Sequence, residues 1–434
     1  MRITILTTGS RGDVQPYVAL ALGLRRAGHV VRLPAHETFR ELIAGHGLDF
    51  YPLEGENPQD FIRRPAIQAA LSSGDHLRLF AIVLREAGPL FEGIFDDFWH
   101  NCQDTDVVIS TTAFFGAYDG AQKLGLPCIH TLLNPMYPTA AFPNPFLAVL
   151  SGFGRVGNRL THFLLDQVWW QTFRVTLNRW RKRLLGLPPH PFFGPYRRMR
   201  RVDRLPTLFG FSPAVIPPPP DWPPWNHVTG YWFLPPPEGW QPPPALVRFL
   251  QDGPPPVYIG FGSMSDEDPE RLAQLAVQAL DRCDQRGVLL SGWGGLDATN
   301  LPGTVFALRS IPHAWLFPQM AAVVHHGGAG TTAASLRAGV PTIVVPFVGD
   351  QVFWGRRVHD DLGVGPRAIP HRQLSAERLA TAITAALTDR DMRARAKGLG
   401  ATIRAEDGVA QAVEIIDRVA VAGHTMRGID VQGP

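Results

Sequence analysis

The segment Arg309–Gln351 holds the residues whose types and order could do chemistry. A short apolar run, Ala321–His325, reads as a buried strand. It leads into His325, His326, Gly327, Gly328, Ala329, Gly330, Thr331 and Thr332, then into a helical pattern ending at Ala338. A strand feeding a glycine-rich turn at a helix N-terminus makes an anion site. Small residues let main-chain amides approach phosphate oxygens, and the helix dipole favours negative charge there. A second strand, Pro341–Pro346, is followed by Gly349, Asp350 and Gln351. An acid and an amide past a strand's carboxyl end suit the hydroxyls of a sugar. Together these features suggest a nucleotide-sugar site. Plainer readings stay open: the glycines could form only a tight turn, and Asp350 could only cap the next helix.

The N-terminus offers a second cluster. Gly9, Ser10, Arg11, Gly12, Asp13, Val14, Gln15 and Pro16 follow the β-rich run Arg2–Thr8. Gly9, Ser10 and Gly12 suggest a glycine-rich turn, and Pro16 suits the opening of a helix over Pro16–Ala27. Asp13 could cap that helix. His325 and His326 are weak metal candidates, because neighbours on an extended strand point to opposite faces and nothing nearby completes a zinc set. Asp104-Thr105-Asp106 and Asp266-Glu267-Asp268 are short, common acidic patterns, the second suited to capping. No metal site is expected.

The elements that must position these residues alternate. Strands are expected at Arg2–Thr8, His29–Pro34, Leu48–Pro52, Asp106–Ser110 and Cys128–Leu132, with helices at Glu37–Gly45 and Phe115–Leu124. This predicts an α/β fold with a parallel sheet covered by helices. Prolines then cluster, and Leu234–Pro244 reads as a stiff linker. Alternation restarts at Val257–Phe261, Val288–Ser291, Val305–Leu308, Ala321–His325 and Thr342–Val345. The expected organisation is an N-terminal domain over 1–233, a linker over 234–244, a C-terminal domain over 245–421 and a flexible tail over 422–434. Two such domains leave a cleft facing both sheets' carboxyl ends, where ligands of these sheets bind.

Composition narrows the classes. The 434 residues carry a formal charge of +3, too small to argue for nucleic acid. Three scattered cysteines show neither metal spacing nor a disulfide framework, so a reducing cytoplasm is expected. No apolar window is long enough for a membrane span, and the N-terminus runs straight into structure. From Arg155 to Arg204 the only acids are Asp166 and Asp203. Within that stretch, Arg155–Leu185 mixes arginines with Phe163, Trp169, Trp170, Phe173 and Trp180 at roughly helical spacings. It could rest on the inner face of a membrane, wall an acceptor pocket, or simply pack on the sheet.

Four places carry a family likeness: GSRGDVQPYVALALGL near the N-terminus, YIGFGSM at 258–264, SGWGGL at 291–296, and the Arg309–Gln351 segment. With them the chain resembles inverting glycosyltransferases of two facing Rossmann-like domains, the GT-B architecture. More narrowly it resembles sterol 3-β-glucosyltransferases and bacterial enzymes that glycosylate natural products. The resemblance implies a donor on the C-terminal domain and an acceptor on the N-terminal one. It puts His325 on the donor pyrophosphate, Gly327, Gly328, Ala329, Gly330 and Thr331 around it through main-chain amides, and Gly262 and Ser263 on its other side. Asp350 and Gln351 would bind sugar hydroxyls. Plant members carry histidine where Asp13 stands, so Asp13 would be the general base, with capping as a simultaneous role. Trp293 either stacks on the base, lines the sugar pocket, or is a core tryptophan. Ile311 falls in the donor region, where plant members place a tryptophan before proline and glutamine to stack on uracil. Here Ser310, Ile311, Pro312 and His313 stand instead, which leaves UDP-sugar and dTDP-sugar donors both open.

The expected function is metal-independent hexose transfer, without a cofactor, from UDP-glucose to a hydroxyl of a lipophilic acceptor such as a sterol or polycyclic natural product. The alternatives are a dTDP-sugar transferase of antibiotic biosynthesis, a sugar-nucleotide 2-epimerase, and a non-catalytic auxiliary subunit. Retained donor residues argue against the last.

Overall fold

The computed structural model describes residues 1–430 apart from 58–59, 62–63, 68, 70–75, 112–113, 151, 262–268 and 291–300. In the N-terminal half, β1 (Arg2–Leu6) is followed by α1 (Arg11–Arg26) and β2 (Val30–Arg32). The two-residue strands β3 (Pro34–Ala35) and β4 (Tyr51–Pro52) pair only with each other, with the short helix α2 (Arg40–Ala44) between them. Then come α3 (His76–Cys102), β5 (Val107–Ser110), α4 (Phe114–Leu124), β6 (Cys128–Leu132), α5 (Gly154–Trp180), β7 (Thr207–Phe209) and β8 (Asn226–Val228). The six-stranded sheet has the order β2-β1-β5-β6-β7-β8, and every pairing is parallel. Its central strands are apolar runs buried on both faces, as helix-covered parallel strands must be.

The C-terminal half repeats the plan. Its elements are α6 (Pro244–Gln251), β9 (Val257–Gly260), α7 (Pro269–Arg282), β10 (Gly287–Leu290), β11 (Val305–Leu308), α8 (His313–Leu316), β12 (Ala322–His325), α9 (Ala329–Ala338), β13 (Thr342–Val344) and α10 (Gln351–Arg356). The five-stranded parallel sheet has the order β11-β10-β9-β12-β13. Helices α11 (Ala376–Thr388), α12 (Arg390–Ala405) and α13 (Gly408–Asp430) complete the chain.

Several expectations are corrected. Helix α1 opens at Arg11, five residues before Pro16, because Ser10 is extended and Asp13 reaches back to its main-chain N–H. Gly12 is therefore helical rather than part of a glycine turn, and Pro16 sits inside the helix. The strand expected at Leu48–Pro52 shrinks to β4 and stays outside the main sheet. Helix α13 runs from Gly408 to Asp430. It also crosses to the N-terminal half: Ala412, Ile415, Ile416 and Ala420 share a core with Val18, Leu22 and Leu24 of α1. His29 meets Asp417 across that contact at 2.8 Å. A second core spans both halves, with Phe209 and Phe211 on one side and Phe353 and Trp354 on the other. The linker segment touches both: His46 Nε2 lies 3.0 Å from the Pro235 carbonyl, and Trp240 meets Trp315 edge-on.

Candidate active site

On the C-terminal sheet, β12 delivers His325 to the turn. The ring is fully buried, and its Nδ1 accepts the Gly327 N–H at 2.9 Å. That bond leaves the proton on Nε2, which has no hydrogen-bond partner among the described residues. Burial, with His326 and His313 nearby, holds the ring neutral, its pKa far below the usual histidine range. His326 is pushed down to about 4 by burial.

The glycines of this turn differ in purpose. Gly327 has φ +91°, and a Cβ there would lie 2.7 Å from Val344 Cγ1 and 3.2 Å from the Gln351 carbonyl oxygen. At Gly328 a Cβ would meet His326 Nε2 at 2.5 Å, whereas at Gly330 it would meet nothing. Gly330 therefore faces open space at the start of α9. Helix α9 has Gly328 as N-cap, no acidic residue in its first turn and no capping side chain. The amides of Ala329, Gly330 and Thr331 are the orphan donors of a helix start. Gly327→Ala is expected to destabilise the fold by about 2–4 kcal/mol, combining left-handed strain with a packing clash. Urea unfolding checks this, and an unchanged midpoint would contradict it.

Close packing of Gly327 on Gln351 brings the turn beside the second cluster. The Gln351 amide oxygen accepts from the main-chain N–H of Phe347 at 2.7 Å and of Val348 at 3.1 Å, fixing the loop after β13. Asp350 stands at the N-cap of α10 but makes no side-chain cap bond. Its Oδ2 instead accepts the Trp354 indole N–H at 3.0 Å. The same N–H lies 3.2 Å from Asn134 Oδ1 of the N-terminal half. Burial raises the Asp350 carboxyl to about 6, opposed by the Trp354 bond and reinforced by the charge of Asp13.

Asp13 belongs to the third position of α1. Its Oδ2 accepts from Ser10 N at 2.8 Å and Ser10 Oγ at 2.7 Å, so capping is realised. Oδ1 makes no hydrogen bond among the described residues and is free to act. Burial raises this carboxyl, and the Ser10 bonds oppose the rise. Gly9, at φ +123°, leaves room for the carboxylate: a Cβ there would sit 2.6 Å from Oδ2.

Ile311 packs its side chain into the core with Leu308 and Leu316, so only its main chain could face a ligand. Gly262, Ser263 and Trp293 lie outside the described residues. The acids Asp104 and Asp106 are both engaged by Arg2. Among the described residues no group of three or more His, Cys, Asp or Glu could hold a metal.

Two neighbours of Asp350 escaped the sequence reading. Trp354 holds Asp350 from one turn along α10, an i,i+4 relation that the sequence does contain. Asn134 joins them only through the tertiary fold. His313 stacks on Phe317 at 4.3 Å and is lowered to about 4, by burial first and then by the charges of Arg11 and His326.

Known proteins resemble this chain in sequence and in fold. Residues 3–92 match the glycosyltransferase family 28 N-terminal domain, and 278–419 match the erythromycin biosynthesis protein CIII-like C-terminal domain. A sterol 3-beta-glucosyltransferase of Emericella nidulans is 40% identical over 96% of this chain and 30% of its own length. The chain thus spans about 30% of the length of the curated relatives it matches. Among solved structures, the glycosyltransferase SnogD from Streptomyces nogalater superposes with TM-score 0.67 at 21% identity, covering 96% of this chain and 100% of that one. SsfS6 of Streptomyces sp. SF2575, complexed with thymidine diphosphate, gives 0.61 at 20% identity, covering 96% and 99%. The chain has the GT-B glycosyltransferase fold and, along nearly all its length, is similar to sterol 3-beta-glucosyltransferases.

Proposed function

We propose that this chain is an inverting glycosyltransferase that moves a hexose from a nucleoside diphosphate sugar to a hydroxyl of an apolar acceptor. One observation carries the reading: the buried His325 Nε2 has no partner among the described residues beside the uncapped start of α9, while Gly327 packs on Gln351 and neighbouring Asp350 is tied through Trp354 Nε1 to Asn134 of the N-terminal half. Asp13 Oδ1 takes the acceptor proton as the sugar–oxygen bond forms. Burial raises its pKa and makes it a stronger base than an ordinary aspartate. The departing diphosphate meets the amides of Ala329, Gly330 and Thr331 and the unpartnered His325 Nε2–H, with Gly262 and Ser263 assigned to its far side. Asp350 and the Gln351 amide nitrogen hold sugar hydroxyls. Trp293 and the main chain at Ile311 are assigned to the donor base and sugar pocket.

UDP-glucose is the proposed donor, by likeness to proteins named sterol 3-beta-glucosyltransferase. A dTDP-sugar is the second reading, because a structural neighbour holds thymidine diphosphate. For the acceptor, an apolar cavity lies between β6 and α5. His130, Leu132, Met136, Tyr137, Trp169 and Phe173 are among its lining residues. Met136 and Tyr137 follow closely on Asn134, which reaches Trp354 and so Asp350. A sterol or polycyclic natural product suits such walls. The cysteines are free thiols, in keeping with the cytoplasm as the proposed compartment, and peripheral contact with its membrane is part of the proposal.

A donor-by-acceptor screen read by mass spectrometry tests this. A mass increment of one hexose on a hydroxylated apolar acceptor is expected. An altered sugar nucleotide formed without acceptor would indicate an epimerase, and no product with any pair would indicate an auxiliary subunit. Turnover is expected to survive excess EDTA, since the helix start can carry the leaving charge. Loss in EDTA restored by manganese or magnesium would overturn metal independence.

A further inference from the structure

We propose that the cavity between β6 and α5 selects acceptors carrying a second, uncharged oxygen, and that the Asp166–Arg200 pair in the cavity wall receives it. The statement rests on the apolar-acceptor reading above and adds a chemical requirement to it. Asp166, Trp169 and Phe173 follow one another at steps of three and four along α5, so one side of the helix brings an acid into an aromatic wall. Arg200, from the turn Arg198–Val202, lines the same cavity. Its Nη1 donates to Asp166 Oδ2 at 2.7 Å and its Nη2 to Asp166 Oδ1 at 3.2 Å. The arginine side chain keeps 26% of its surface and the aspartate 18%. An ion pair therefore interrupts otherwise apolar walls. Stability alone accounts poorly for it, because an apolar pair of similar volume is often as stable as a buried salt bridge or more so.

The guanidinium is fixed before any ligand arrives. It lies 4.8 Å from the Tyr196 ring centroid and 5.2 Å from that of Tyr137. Burial opposes its charge, but the charge and hydrogen bonds of Asp166 outweigh burial and hold it above its usual range. Two of its N–H groups serve Asp166, and the others make no hydrogen bond among the described residues. A ligand oxygen could take one of them with little motion lost. An acceptor apolar along its whole length would cover them and leave them without a partner, which lowers affinity.

Charge decides which kind of oxygen fits. Asp166 already balances the guanidinium, so a ligand carboxylate would meet a like charge beside it. A ligand ammonium would face Arg200, and both Asp166 oxygens are already accepting. Tyr196 Oη donates to the Asp166 main-chain carbonyl at 2.8 Å and adds no donor. An uncharged carbonyl or ether oxygen remains. Strand alternation shows why it is a second oxygen rather than the one that reacts. Ile129 and Thr131 of β6 face α1, so His130 and Leu132 face the cavity on the other side of the sheet. Asp13 stands at the start of α1, at the carboxyl end of β1. The Arg200 charge acts on His130, which lies two residues inward of Leu132 and is held neutral, at about 3, by burial first and then by Arg200. The reacting hydroxyl belongs at the sheet's carboxyl edge, and the Arg200 contact lies deeper.

Titration of tryptophan fluorescence, with Trp169 in the cavity wall, reads binding without turnover. The probes are 5α-androstan-3β-ol, its 17-ketone and its 17β-carboxylic acid. The wild-type protein is expected to bind the ketone about 10-fold or more tightly than the parent alcohol, and the acid no better than the alcohol. Asp166→Leu combined with Arg200→Met replaces the pair by apolar side chains and should bind ketone and alcohol alike. Asp166→Asn leaves the Arg200 charge uncompensated and should raise affinity for the acid about 10-fold relative to the ketone. Melting temperatures establish that each variant folds. Equal binding of ketone and alcohol by the wild-type protein, or binding of neither, would overturn the proposal. So would a ketone preference that survives the double substitution, or an Asp166→Asn protein that still rejects the acid. A ketone preference without glycosyl transfer to any acceptor would refute the proposed activity and leave the selectivity site standing.

Discussion

Asp13→Asn is expected to lower turnover by about 10²–10⁴-fold while leaving donor affinity nearly intact. Asparagine can still accept the Ser10 N–H, so the start of α1 should hold and stability should change by less than about 1 kcal/mol. What disappears is the ability of Oδ1 to take a proton. The pH profile supplies an independent check. Burial raises the Asp13 carboxyl, so the wild-type rate should climb with pH along a limb displaced above the ordinary carboxylate range. The asparagine variant should lack that limb. Calorimetric titration with donor beside steady-state rates separates the effects. Near-wild-type turnover would remove Asp13 from the base role and leave it a helix cap.

Asp350 should separate sugar recognition from diphosphate recognition. Asp350→Ala is expected to weaken UDP-glucose about 10- to 150-fold and to leave UDP nearly unchanged, the range of a hydrogen bond to a charged group. His325→Ala should weaken both ligands. Sugar contacts that tighten only in the transition state would move part of the loss into turnover, so rates belong in the measurement. Stability should move the other way. With its pKa raised to about 6, the folded carboxyl binds a proton more tightly than the unfolded one. Wild-type stability should therefore fall as pH rises from about 4 to about 6 and stay level above. Asp350→Asn keeps an acceptor for Trp354 Nε1 and removes the buried charge. Above pH 6 it should be more stable than wild type by about 1–2 kcal/mol, allowing for partial exposure, and far less active. Urea midpoints at pH 5 and pH 8 would show this. A variant with wild-type sugar preference and rate would take Asp350 out of the sugar site.

Much of the fold is legible because its signals are local. β1, β5, β6, β9 and β12 are short apolar runs bounded by turn residues, and each lies where such a run predicts a strand buried on both faces. The glycine turn after His325 reads directly, since its left-handed Gly327 and the helix start behind it are adjacent in sequence. Local signals failed where two devices competed. Pro16 suggested a helix start, but the Ser10–Asp13 bond nucleates the helix earlier. Strands β7 and β8, three residues each beside a proline-rich stretch, carry too few residues to show a period.

The sequence by itself determined which residues could hold phosphate, sugar and proton, because each of those chemistries demands a residue type at a particular turn. Only the tertiary structure decided which of them become neighbours: Gly327 packs on Gln351, and Asp350 shares the Trp354 indole N–H with Asn134, more than two hundred residues away. Asn134 reaches Trp354 across the domain boundary, and α13 returns to cover α1. The fate of α5 was likewise undecidable from its residues. Its aromatic and aliphatic side chains suit a core, a cavity wall or a lipid surface equally well, since all three reward the removal of apolar area from water. Which side chains stay uncovered depends on what packs against the helix, and that is set by distant elements.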